Sequence, residues 1–448
     1  MKKQDDLFKN FLTLSIPIGV QSLITSLINT VDTLMIGQLG DIELSAVGLV
    51  NQIYFILLLM TVGTISGATI FMAQFFGKKD VLGMKKAAML AAIVISIASL
   101  AFMIGGIVFP RYILGIFSNE QELIDIGEKY FRVVAWSYLV TGISQVIGMI
   151  LKNLGKAMLP LVVTTAAIII NICFNFIFIF GYFGAPAMGV EGAAWATNIA
   201  RYVEVLILLI MLYGYNREYA PSIKNIKSIN KVFVAQFAKV ALPVTISETI
   251  WSFGTSLYSV VYYHMGYEYG AAINIAKVLE NLLTSFFKGS GQAAAIIIGR
   301  ELGENDQQRA IVDSRRMGHY SIGLGILSGV IMLSFKNTFL SFYQVSPLVK
   351  SVAGMMITYI ALMMPFIGYQ WLHISSTLRA GGDTKACMLI DNVTVWLIAL
   401  PYAFVTGYFL NLPIQVVYLC LVLDTIAKCI LVFLRVRSKK WIKDVTSI

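Results

Sequence analysis

The sequence predicts an all-α integral membrane fold of twelve transmembrane helices in two pseudo-symmetric six-helix lobes, and three observations predict it. The chain of 448 residues is 58% hydrophobic and only 13% charged, with a mean hydropathy of +0.77, whereas soluble domains carry about 25% charged residues. Apolar runs of the roughly 20 residues that cross a bilayer recur about a dozen times. The chain is also written twice, at an offset of about 226 residues. Ile16-Pro17-Ile18 returns as Leu242-Pro243-Val244, and Gly40 as Gly266. Gly63-Thr64-Ile65-Ser66-Gly67-Ala68 returns as Gly289-Ser290-Gly291-Gln292-Ala293-Ala294, and Gly77-Lys78-Lys79-Asp80 as Gly303-Glu304-Asn305-Asp306. Duplication in an apolar chain marks carriers whose halves rock around a central site.

In chain order the apolar runs place helices near 12–37, 45–76, 86–109, 124–150, 158–183 and 189–214, then 232–264, 271–301, 313–335, 349–378, 386–409 and 412–436. The first contains Pro17, where a missing N–H and a ring clash favour a bend, and it stops at Gly37 and Gly40. It has no small-residue cleavage site and carries Asp32, so it reads as a retained helix rather than a signal peptide. The polar stretch 216–230 separates an N-terminal lobe, 1–215, from a C-terminal lobe, 231–448, as a flexible tether.

Lysine and arginine sort between alternate loops. One side receives Lys2, Lys3, Lys9, Lys78, Lys79, Lys85, Lys86, Lys152 and Lys156, then the linker, Arg300, Arg309, Arg315, Arg316, Arg379, Lys385 and the basic tail. The other side has only Arg111, Lys129, Arg132, Lys336 and Lys350. The positive-inside rule then puts both termini in the cytoplasm, which needs an even number of spans, and twelve fits. This reading gives a multi-pass protein of the cell membrane. It assigns the net charge of +10 to topology and anionic headgroups, not to nucleic acid. The four cysteines, Cys173, Cys387, Cys420 and Cys429, lie in apolar segments without metal or redox spacing. No GxxxxGK[ST] loop, catalytic triad or carboxylate pair stands out, so ATP hydrolysis and enzymatic chemistry are not expected, nor is a cofactor.

A carboxylate at bilayer depth costs at least about 2.5–3.5 kcal/mol and is retained for a reason. Asp32 is such a group, and Asn29, three residues before it, shares its helix face. Asn171 and Asn175, four apart, face one way on the fifth helix and with Asp32 offer oxygens suited to a proton or Na+. Thr197 and Arg201 are further polar members on the sixth; Arg201 pairs either with Asp32 or with Glu204. In the second half, Glu248 and Asp391 lack a partner on their own helices, which makes them candidates for cargo or protons. Lys277 and Glu280, three apart, either neutralise each other or act separately, Asp424 pairs with Lys428, and His373 either titrates near neutral pH or, as preferred, is a buried, satisfied histidine.

The chain resembles, over nearly its whole length, the multidrug and toxic compound extrusion (MATE) transporters. The resemblance rests on Pro17 through Gly40, on Asn171-x3-Asn175 with Ile179-Phe180-Gly181, and on the run from Gly189 to Thr197. Leu378 to Thr384, Trp396 to Pro401 and the tail Asp424…Arg435…Lys440-Trp441 follow in family order. It implies two lobes in a V opening alternately to either face, and export of cationic, amphipathic compounds against inward H+ or Na+. It further implies that Asp32, Asn171 and Asn175, with Thr197, form the cation-coupling site. Glu280 resembles the acidic position of the DinF-like branch, which is expected over the NorM-like one, and Glu248 the acid after the seventh-helix proline. A monomer exchanging small organic compounds amid membrane lipids is the expectation. The same superfamily holds flippases for lipid-linked saccharides, which Lys277, Lys288 and Arg201 would suit and the four acids oppose.

Overall fold

The computed structural model describes residues 2–118, 120–343 and 345–446, without the side chains of 2–5, 28–30, 223 and 225. Among the described residues all regular structure is helical. The long helices are α1 (Lys2–Gly37), α2 (Asp41–Gly77), α3 (Val81–Val108), the two-piece α4 (Gln121–Val134 and Trp136–Asn153), α5 (Met158–Phe180) and α6 (Val190–Gly214). They continue with α7 (Lys231–Met265), α8 (Tyr267–Gly303), α9 (Gln307–Ser341), α10 (Pro347–Leu378), α11 (Thr384–Phe409) and α12 (Ile414–Arg437). Ten of these are long and apolar enough to cross a membrane, and the bent α4 makes an eleventh. The remaining one, α8, has 37 residues but carries Glu268, Lys277, Glu280, Lys288, Arg300 and Glu301.

The differences from the expected spans have local causes. Expected as one helix over 124–150, α4 bends by 46° at Ala135. There Ser137 Oγ donates to the Val134 carbonyl at 2.7 Å, and Phe131 and Ala135 lie over Gly106 of α3, where a β-carbon would approach them to 2.5 and 2.8 Å. The helices α3 and α9 start earlier than their apolar runs because aspartates cap them. Asp80 accepts from the Gly83 N–H at 2.8 Å and Asp306 from the Arg309 N–H at 3.0 Å. These caps are mates in the sequence repeat, and the backbone repeats with them. Lys79 and Asn305 share positive φ (57° and 62°), as do Gly155 and Gly382 (83° and 79°).

By contact the chain forms two compact units: residues 20–241, and the residues up to Gly19 together with those from Leu242 onward. The passage from one unit to the other thus falls inside α1 and inside α7, beside Pro17 and Pro243. The core of the 20–241 unit includes Val50, Leu114, Phe131 and Tyr138. The start of α7 joins this unit through Phe233 and Phe237, each with its ring 5.7 Å from that of Phe71. The other unit is built on Tyr262, Phe287, Met332, Ile357 and Val417. There Phe8 and Phe11 of α1 pack on Tyr320, and Gly19 lies against Phe286.

Small residues let α9 and α10 approach closely. A β-carbon on Gly325 would come within 2.6 Å of the Met364 carbonyl oxygen, and one on Gly329 within 2.5 Å of that of Ala361. Behind α12 the tail folds back on the turn between α10 and α11. The buried Trp441 lies on Gly381, Lys443 N–H donates to the Gly381 carbonyl at 3.0 Å, and Arg435 Nε and Lys443 Nζ each donate to the Asp383 carboxylate at 2.6 Å.

Candidate functional site

In the 20–241 unit the polar residues expected on three helices meet. Asn175 Nδ2 donates to Asp32 Oδ1 at 2.6 Å and to Asn171 Oδ1 at 3.3 Å. Asn171 Nδ2 donates to Thr197 Oγ1 at 3.4 Å, and Thr197 donates onward to the Ala193 carbonyl at 3.0 Å. The four-residue spacing on α5 puts both amides on one face, as the sequence required. Asn175 is 1% exposed, yet its Oδ1 has no hydrogen-bond partner. A cavity of about 40 Å³ opens beside Asp32, with Thr25, Asn171, Thr197 and Arg201 among its polar lining. That is room for about a water or two, or for one bare cation. The donors are a carboxylate, amide oxygens and a hydroxyl, a set suited to a proton or a hard cation. Asn29 cannot be placed here, because its side chain lies outside the described residues.

Of the two readings of Arg201, Glu204 is its contact partner, met by Nη1 at 2.8 Å, and Asp32 is a more distant electrostatic one. Glu204 also accepts from Thr164 Oγ1 at 2.8 Å, and Gln21 Nε2 donates to Thr164 at 3.0 Å. Thr164, Gln21 and Thr25 were missed in the sequence because hydroxyls and amides cost little in a membrane helix and so give no signal.

The second-half candidates sit in the other unit, where Glu248 and Asp391, expected without a partner on their own helices, meet one at the end of α10. Arg379 Nη2 donates to Glu248 Oε1 at 2.8 Å and lies 3.9 Å from Asp391 Oδ2. In sequence Arg379 counts as a cytoplasmic loop cation, but its long side chain reaches back along the helix end. Asp424 and Lys428 pair within α12 at 2.7 Å, as expected. Lys277 and Glu280 act on each other electrostatically, without a hydrogen bond between them. His373 is buried and bonded to Thr377 at 2.9 Å. Among the described residues no cluster of three or more His, Cys, Asp or Glu has metal-binding geometry.

Comparison with known proteins decides the family. The MatE family model matches residues 17–177 and 243–405, one copy in each half of the sequence repeat. The chain belongs to the MatE family. Similar to this MatE chain is the uncharacterized transporter YisQ of Bacillus subtilis strain 168, 27% identical over 450 residues that cover 99% of this chain and 97% of that protein. A probable multidrug resistance protein NorM of Thermotoga maritima is 25% identical, covering 97% and 93%. Multidrug resistance protein PmpM of Pseudomonas aeruginosa is 25% identical, covering 89% and 84%. Among solved structures, the outward-facing conformation of a multidrug resistance MATE family transporter of the MOP superfamily superposes with a TM-score of 0.88 at 18% identity, over 96% of this chain and 95% of that one. The MatE fold, and with it a membrane protein of transporter class, follows for this chain.

Proposed function

We propose that this MatE protein is a secondary active multidrug exporter that exchanges small organic compounds, cationic and amphipathic ones foremost, for H+ or Na+ by alternating access. Its place is the cell membrane, as a monomer with both termini in the cytoplasm. The observation that carries the coupling role is the state of Asp32. A carboxylate half-buried in a membrane helix is hydrogen-bonded by one neutral amide, next to a small oxygen-lined cavity and the unpartnered Asn175 oxygen. Such a group is costly as a bare anion and is relieved by a proton or a bound cation, which is the chemistry that coupling needs. Asn171, Asn175 and Thr197 hold it in place. The relatives named as multidrug resistance proteins support the cargo class, and the likeness to the DinF-like branch rests on the position of Glu280 in the sequence.

The test is ethidium efflux from proteoliposomes under an imposed proton or sodium gradient, with Asp32→Asn beside the wild type. Efflux driven by one gradient and abolished by the substitution, in protein that still purifies folded, is the expected result. Full-rate coupled efflux by the variant would remove Asp32 from the coupling role. Wild-type protein that is inactive under both gradients would favour the lipid-linked saccharide flippase.

A further inference from the structure

One group of charges in the second unit, around Arg379, is balanced. Glu248, Asp391 and Asp424 face Arg379 and Lys428, and Lys288 acts electrostatically on Glu248. Three carboxylates meet three cations, so the cluster as a whole offers little net attraction to a positively charged compound. Arg379 is the cation that reaches two of the acids. Its hold is incomplete in three ways. One Nη2–Oε1 bond of 2.8 Å engages Glu248, in place of the paired contacts that a guanidinium makes in its strongest geometry. The approach to Asp391, at 3.9 Å, is beyond hydrogen-bond distance. Arg379 is 8% exposed, but its Nε has no partner, and neither does Asp424 Oδ1.

The acids keep an open edge, with the side chains of Glu248 and Asp391 23% and 15% exposed. Arg379 is mounted on a fixed base, for its backbone begins the turn that Asp383, Trp441 and Lys443 clamp. Only the flexible side chain is free to leave. Its repeat mate, Lys152, is found in no ion pair among the described residues, and Arg201, the mate of Lys428, is paired along its own helix. Neither mate reaches two acids across helices as Arg379 does.

We propose that Arg379 is a tethered counter-cation, and that a cationic compound binds Glu248 and Asp391 by displacing it, so that residue 379 sets how strongly this unit holds positive cargo. The proposal rests on the export reading for the nature of the cargo. Removing a buried carboxylate's partner without replacement is strongly unfavourable, and a cationic ligand is itself the replacement. Internal competition of this kind weakens binding and thereby permits release.

Ethidium titration of the purified full-length protein, followed by fluorescence, tests it. Arg379→Gln is expected to tighten ethidium binding by about tenfold or more, the effect of removing one competing charge contact at a partly buried site. Arg379→Lys, which keeps the charge without the fork, is expected to fall between. The tightening should vanish when Glu248→Gln and Asp391→Asn are added. Affinity unchanged from the wild type in both variants overturns the proposal. If Arg379→Gln does not purify folded, Arg379→Lys decides alone, and wild-type affinity there overturns it. Failure of the wild type to bind ethidium at all would instead count against the export reading.

Discussion

Asp383 shows how one side chain holds a segment in place. Burial alone would raise its pKa, but the hydrogen bonds from Arg435 and Lys443, with their positive charges, outweigh that and hold it below the ordinary carboxylate value. A depressed carboxylate contributes its stabilisation in full above the unfolded-state pKa of about 3.9 and loses it as pH falls through the folded value. The tail should therefore stay docked throughout the neutral and mildly acidic range and let go only in strong acid. Asp383→Asn should free it at neutral pH, at a cost of about 2 kcal/mol for the weakened charged hydrogen bonds. Accelerated carboxypeptidase trimming of residues beyond Ser438 would read the release, and a trimming rate equal to the wild type's would show that Trp441 alone suffices. At this scale the sequence was informative where residues share a helix. The spacing of Asn171 and Asn175 and the pairs Asp424–Lys428 and Arg201–Glu204 were legible because the α-helix brings positions three and four apart together. Arg379 was not, because its partners are 131 residues and 12 residues away and only tertiary packing brings them near.

Helices in this chain are specified by their glycines as much as by their apolar residues. Gly325 and Gly329, four apart on α9, leave no space for a side chain against the backbone of α10. Gly329→Leu should force the two helices apart or fail to assemble, since overpacking costs about 1–3 kcal/mol or more where backbone blocks relaxation. A drop in the thermal midpoint of the detergent-solubilised protein checks this, and Gly323→Leu is the control, because nothing lies within 4 Å of where its β-carbon would be. Spans are legible in the sequence and their contact partners are not: the count and order of the helices follow from apolar length, whereas the bend at Ala135 does not. The run over 124–150 carries Asp125, Glu128, Lys129 and Arg132 in its first part without a helix-breaking residue, and the bend falls where Phe131 and Ala135 meet Gly106 of another helix.

For the whole molecule the repeat was the most legible feature, and it reappears in the backbone at the paired positive-φ residues and aspartate caps. The chemistry has diverged over that shared frame. In the repeat Asp32, Asn171 and Asn175 correspond to Tyr258, Ile398 and Tyr402, so this polar triad has no second copy. Orientation is testable at the same scale. In a background with the four cysteines replaced by alanine, Tyr112→Cys should react with a membrane-impermeant maleimide in right-side-out vesicles, and Ser222→Cys in the linker should react only after permeabilisation. Labelling of both, or the reverse order, would contradict cytoplasmic termini.

The exchange of chain inside α1 and α7 bears on how the protein is made. Residues up to Gly19 leave the ribosome ahead of the 20–241 unit, yet the groups they pack on, Phe286, Gly289 and Tyr320, are translated well into the second half. Residues 20–241 complete their own unit while synthesis continues, once the start of α7 has arrived with Phe233 and Phe237. The amino-terminal end must wait for its partners, and a gene cut within the 216–230 linker would yield two polypeptides that each carry a piece of the other's unit. Neither would be a finished half, and their folding in the bilayer would be a joint event.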